Sequence, residues 1–187
     1  MKVKFFIGID ISKKTLDFAV RDSQQFLFHL KVENSLAGLD TFKSYCQEHE
    51  VALENSLICC EHTGIYSQHI LSLAAQEGIS LWLESSTRIK RSIGLQRGKS
   101  DKIDAIRISE YAFRYADQAQ LWQPEREVLL ELKHLVGLRK RLMLAKDTLQ
   151  VPLKEAADFQ DKKLSKKIQA LNQKPIKALQ NQIQQVE

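Results

Sequence analysis

The sequence predicts an α/β domain, a mixed β-sheet with helices on its faces, followed by a basic helical coiled-coil arm. Three observations carry this expectation. Short apolar runs and amphipathic stretches alternate over roughly the first 115 residues in the order β-β-β-α-β-α-β-α. Pro124 then marks a change of character, beyond which glycines nearly vanish and leucines recur three and four residues apart. The charge is also uneven: residues 1–87 hold 7 basic and 11 acidic side chains, whereas residues 88–187 hold 21 and 12. A basic second half implies a polyanionic partner, unless it is simply a solvated, lysine-rich helical surface.

Each element has its own reason. Lys4–Ile11, Leu16–Asp22 and Gln25–Val32 read as three strands joined by turns at Ser12-Lys13-Lys14 and Asp22-Ser23. Phe5, Phe6, Ile7 and Ile9 make the first nearly continuous in apolar character, which suits a strand covered on both faces. Phe26, Phe28 and Leu30 alternate with Leu27, His29 and Lys31, as on a strand nearer the sheet edge. Behind an Asn34/Ser35 cap, Leu36, Leu39, Phe42, Tyr45 and Cys46 recur at helical spacing. Ser56–Cys60 is a fourth strand, Ile65–Glu77 a helix closed by Gly78, and Ile79–Leu83 a fifth strand. A helix follows from Asp101 to about Tyr115. In the arm, Leu135, Leu138, Leu142, Ala145 and Leu149 form one seam, which Pro152 is expected to end or kink. Ile176, Leu179, Ile183 and Val186 form a second, running to the last residues, so the sequence reads as cut before a further part.

The bulk properties narrow the class. A hydrophobic content of 43% and a mean hydropathy of −0.31 describe a globular protein. No apolar run reaches 18 residues, and the N-terminus lacks a signal-peptide cleavage pattern, so no membrane partner is expected. Cys46, Cys59 and Cys60 suit reduced thiols and a cytoplasmic location, and they show no zinc-ligand spacing.

Four acidic residues stand out. Asp10 and Glu61 end apolar strand-like runs, in Gly8-Ile9-Asp10-Ile11-Ser12-Lys13 and Cys60-Glu61-His62-Thr63-Gly64. Asp101 and Asp104 open a helix three residues apart and so share a face. Each has an ordinary explanation: a strand-end Asp caps a turn, and acids in a first helical turn offset the dipole. Together they point further. Four converging carboxylates repel one another unless cations lie between them, and hard divalent ions such as Mg²⁺ or Mn²⁺ take oxygen ligands. Two such ions about 3.5–4 Å apart clamp the attacking and leaving oxygens in phosphoryl transfer. Gly8 implies that something approaches the first strand closely. Arg88, Lys90, Arg91, Arg97 and Lys99 precede the helical acids, with Lys102 between them, and are the candidate contacts to a nucleic-acid backbone. Gly94 and Gly98 predict a loop there rather than a continuous helix. Asp17 and Asp22 read as a strand-face and a turn residue, Trp82 and Trp122 as packing residues.

The motifs Gly8-Ile9-Asp10-Ile11-Ser12-Lys13, Glu61-His62-Thr63-Gly64 and Lys99-Ser100-Asp101-Lys102-Ile103-Asp104-Ala105 resemble those of the DEDD transposases of the insertion-sequence "one-ten" type. That family includes pilin-gene invertases and bridge-RNA-guided recombinases, and the likeness covers about residues 3–115. The resemblance implies a RuvC-like, RNase H-like fold over residues 1–120, with Asp10, Glu61, Asp101 and Asp104 as the catalytic, metal-binding tetrad for Mg²⁺ or Mn²⁺. It implies site-specific recombination of DNA by a bacterial, nucleoid-associated protein, in some members with a structured guide RNA. The arm, residues 125–187, is expected to support a homo-oligomer and to precede a C-terminal transposase domain. Two other functions stay open: a stand-alone nuclease resembling Holliday-junction resolvases, and a non-catalytic RNA- or DNA-binding module. An actin-like ATPase or sugar kinase would need glycine-rich phosphate loops, and none of the seven glycines cluster.

Overall fold

The computed structural model describes residues 3–93, 100–156 and 161–187. The chain divides into two compact units, Met1–Pro124 and Glu125–Glu187. The first holds a five-stranded sheet of β1 (Phe5–Ile11), β2 (Thr15–Arg21), β3 (Phe26–Glu33), β4 (Ser56–Glu61) and β5 (Ser80–Glu84), in the order β3-β2-β1-β4-β5. Tight turns make β1, β2 and β3 antiparallel, whereas helical crossovers make β4 parallel to β1 and β5 parallel to β4. The apolar β1 is thus central and the alternating β3 lies at an edge, as their patterns predict. The result is a mixed sheet flanked by helices, consistent with an RNase H-like α/β fold.

Alternation along the strands gives the sheet two different faces. One face presents Ile7, Ile9, Leu16, Phe18, Val20, Ile58, Cys60 and Leu81 to the larger core cluster. Helices α1 (Leu36–Glu48) and α2 (Gln68–Glu77) supply Leu39, Phe42, Ile70 and Leu73 to that cluster. Ser35 caps α1 by accepting from the Gly38 amide, and Gly78 closes α2 in the left-handed conformation at φ 66°. The other face presents Phe6, Leu57, Cys59 and Trp82 to Ile89 of α3 (Ser86–Ile93) and to Ile108, Tyr111 and Ala112 of α4 (Asp101–Arg114).

The structure departs from expectation in two places, the basic stretch and the seam of the arm. The basic stretch begins as α3: Ile89, 3% exposed, anchors it to the core, leaving Arg88, Lys90 and Arg91 outward. Arg97, Lys99 and both glycines of that stretch lie outside the described residues. In the second unit, α5 (Glu127–Ala156) and α6 (Lys162–Val186) pack on one another, and α5 runs through Pro152 for one more turn. The seam is also shorter than its sequence pattern. Leu142 and Leu149 are half-buried against α6, where Ile176, Leu179, Ile183 and Val186 are half-buried too. Leu135 and Leu138 remain exposed. Arg139 Nε lies 2.9 Å from the Glu187 carboxylate. No helix among the described residues is long and apolar enough to cross a membrane.

Candidate functional site

The second face of the sheet also carries most of the acidic side chains at its carboxyl-terminal end. Asp10 is two residues beyond Gly8 on β1, Glu61 ends β4, and Glu84 ends β5 directly opposite Glu61. The β1–β2 turn, closed by Ser12 and Thr15, pairs Asp10 with Asp17 across the strands. Asp17 in turn pairs with Lys31 of β3. Even spacing puts all these side chains on the face that α4 covers.

Gly8 fixes where α4 sits. A Cβ there would fall 2.2 Å from the Ser109 amide nitrogen and 2.3 Å from the Ala105 carbonyl oxygen, so only glycine lets the helix backbone lie on the strand. Phe6, further back along β1, meets Phe113 edge-on at 5.1 Å. The helix therefore runs antiparallel to β1, and one turn before Ala105 its first residues come beside Asp10. Ser100 caps this end by accepting from the Ile103 amide at 3.3 Å, which fixes Asp101 and Asp104 in the first turn.

The charges interact. Burial, and then the carboxylates of Asp101, Asp104, Asp17 and Glu61, push the Asp10 pKa up to about 6. No ion pair among the described residues relieves it. The helical acids are answered by basic groups: Lys31 Nζ lies 2.9 Å from Asp101 Oδ2, and Arg107 Nη1 lies 3.0 Å from Asp104 Oδ1. The hydrogen bond from Lys31 holds the Asp101 carboxyl below the usual range, and bonds to Asp101 and then Asp17 raise the lysine. Asp17, 2% exposed, also faces His29 Nε2 at 2.9 Å. The other three acids of the motifs, Glu61, Asp101 and Asp104, thus come within electrostatic reach of Asp10. Among the described residues, no three His, Cys, Asp or Glu side chains lie close enough together to hold a metal ion.

A second buried carboxylate organises the neighbouring edge. Glu84 is 6% exposed; it accepts from the Ser85 amide at 2.7 Å, from Tyr111 Oη at 2.9 Å and from Arg88 Nη1 at 3.4 Å. It ties α3 and α4 to β5, and burial with this bond drives the Tyr111 phenol well above its ordinary range. Arg88, two-thirds exposed, still presents its guanidinium to solvent. Lys90, Arg91 and Lys102 are exposed as well. The cysteines are buried thiols with no disulfide, and burial raises Cys46 to about 12. Asp22 is a turn residue accepting from the Gln24 and Gln25 amides at 2.7 Å.

A protein-family model described as a transposase, of the DEDD IS110 type, matches residues 7–158, most of the chain. The chain belongs to this transposase family. Its match takes in both units, β1 to α4 of the first and the described part of α5 in the second. Transposition, recombination and DNA as a partner follow at the level of the family. No curated protein matches the chain.

Sequence reasoning missed Lys31, Glu84, Tyr111 and Arg107, and read Asp17 only as a strand-face residue. The pairing of Asp10 with Asp17 was available: both stand two residues outside the Ser12/Thr15 turn closure. Lys31 follows from the next register. The Glu84–Tyr111 bond spans 27 residues and two elements whose packing no local pattern states.

Proposed function

We propose that this transposase uses Asp10, Glu61, Asp101 and Asp104 as a divalent-metal site for phosphoryl transfer on DNA. The donor chemistry fits Mg²⁺ or Mn²⁺: all four groups are carboxylates, and two come from rigid strand ends. Bound there, such ions would neutralise charge and activate the scissile phosphate. Asp10 is the central ligand, fixed by the sheet and unpaired among the described residues; Glu61 approaches from β4, and Asp101 and Asp104 from α4. Arg88, Lys90, Arg91 and Lys102 hold the phosphate backbone as positioning charges, with Arg97 and Lys99 assigned the same role from sequence. The exposed apolar face of α5 around Leu132, Leu135 and Leu138 supports self-association of the arm. Its lysines also suit a structured RNA.

The observation that carries this reading is the gathering of the other three motif acids around Asp10, on a chain of the transposase family. The absence of a closed three-carboxylate group among the described residues favours one competitor, a metal-independent nucleic-acid-binding module. Asp10→Asn and Asp104→Asn separate the two. The metal-site reading expects DNA recombination or cleavage to be lost while DNA binding persists. Retained activity in both variants would overturn it.

A further inference from the structure

An ammonium group stands among the carboxylates where a cation is needed. Lys31 Nζ bridges Asp17 Oδ2 at 3.1 Å and Asp101 Oδ2 at 2.9 Å. Its two partners differ in kind. Asp17 is a fixed acceptor, 2% exposed, in the middle of a three-strand ladder and held at its other oxygen by His29 at 2.9 Å. Asp101 is an exposed acceptor on the first residue of α4, 58% accessible at its side chain. The sheet therefore holds the lysine, and the lysine holds the helix end.

We propose that Lys31 is an intramolecular competitor for the divalent cation, pairing with Asp101 until an ion takes that carboxylate and then remaining on Asp17. The proposal rests on the metal-site reading above. It explains why the acids gather without closing: Asp101 is drawn toward β3, and a single positive charge partly offsets their repulsion. Lys31 is thus a positioning residue and Asp17 its anchor, neither being a ligand. Its consequence is a threshold, with ion binding required to break a charge-assisted hydrogen bond before all four carboxylates are available. A purely structural lysine would do the opposite, since losing it would release Asp101 and weaken the ion site.

The test is the Mn²⁺ dependence of thermal unfolding of the full chain, with Mn²⁺ alone as the probe and no nucleic acid. Wild type is compared with Lys31→Met, Lys31→Gln, Lys31→Arg and Asp10→Asn. A ligand of the native state stabilises it by RT ln(1 + [Mn²⁺]/Kd), so the Mn²⁺ concentration that gives a set rise in unfolding temperature scales with Kd. Lys31→Met and Lys31→Gln should each lower that concentration about tenfold, equivalent to ~1.4 kcal/mol. Lys31→Arg should stay near wild type, because it keeps the charge. If Asp10→Asn abolishes the response while both neutral Lys31 variants need as much Mn²⁺ as wild type or more for that rise, the competitor role is wrong and the metal site stands. If Asp10→Asn leaves the response intact, or neither wild type nor the neutral variants respond, the metal-site reading itself fails.

Discussion

Replacing Asp10 by Asn should stabilise the metal-free protein at neutral pH, although it removes the group we place at the centre of the site. In the folded chain the Asp10 carboxyl titrates near 6, against 3.8 for the free side chain. A pKa raised by folding makes a contribution that is fully favourable below about pH 4 and is lost as pH rises through 6. At 1.36 kcal/mol per unit, the full penalty above pH 7 is about 3 kcal/mol, and partial exposure of the side chain reduces it to about 2 kcal/mol. Asn keeps the shape without the charge. Urea unfolding in EDTA at pH 4 and pH 7.5 isolates this effect as a difference of differences. Wild type should lose about 2 kcal/mol more than Asp10→Asn between those pH values. Added Mn²⁺ at pH 7.5 should reverse the order, stabilising wild type only. Equal pH dependence in the two proteins would show that the acids do not gather around Asp10 as described.

Three further outcomes follow from the same packing. Gly8→Ala should cost about 3 kcal/mol or more in thermal or urea unfolding, because its Cβ would meet helix backbone at 2.2 Å. A cost below about 1 kcal/mol would mean that α4 does not rest on β1 at that point. Tyr111→Phe should cost about 1–3 kcal/mol by leaving the buried Glu84 carboxylate short of a donor, measured by the same unfolding curves. Replacing Arg88, Lys90 and Arg91 together by Gln should weaken DNA binding without sequence preference. The slope of log affinity against log salt should become shallower by roughly 2–3, at about 0.9 for each phosphate no longer neutralised.

How much of this was legible in the sequence depended on the range of the interaction. Strands, helices and most caps were readable because they are local: Gly78 ends α2 and Ser35 opens α1 through neighbours within a few residues. Gly8 announced a close approach, but only the fold shows that the backbone of α4 makes it. The loop expected at Arg88–Lys99 begins as a helix because Ile89 finds a buried seat on a surface built from β1, β4 and β5. Leu135 and Leu138 follow a coiled-coil pattern yet stay exposed, since such a pattern does not name the surface that covers it. At the site, the four acids were visible as motifs. The Lys31 bridge was not, because it needs the registers of three strands and the start of a distant helix at once.

Anomalous diffraction from Mn²⁺-soaked crystals asks whether Asp10, Glu61, Asp101 and Asp104 form one divalent-cation site. A shared site gives anomalous density about 2.0–2.6 Å from carboxylate oxygens of Asp10 and its partners, absent in Asp10→Asn crystals. Ordered carboxylates at all four positions with no density between them would contradict it.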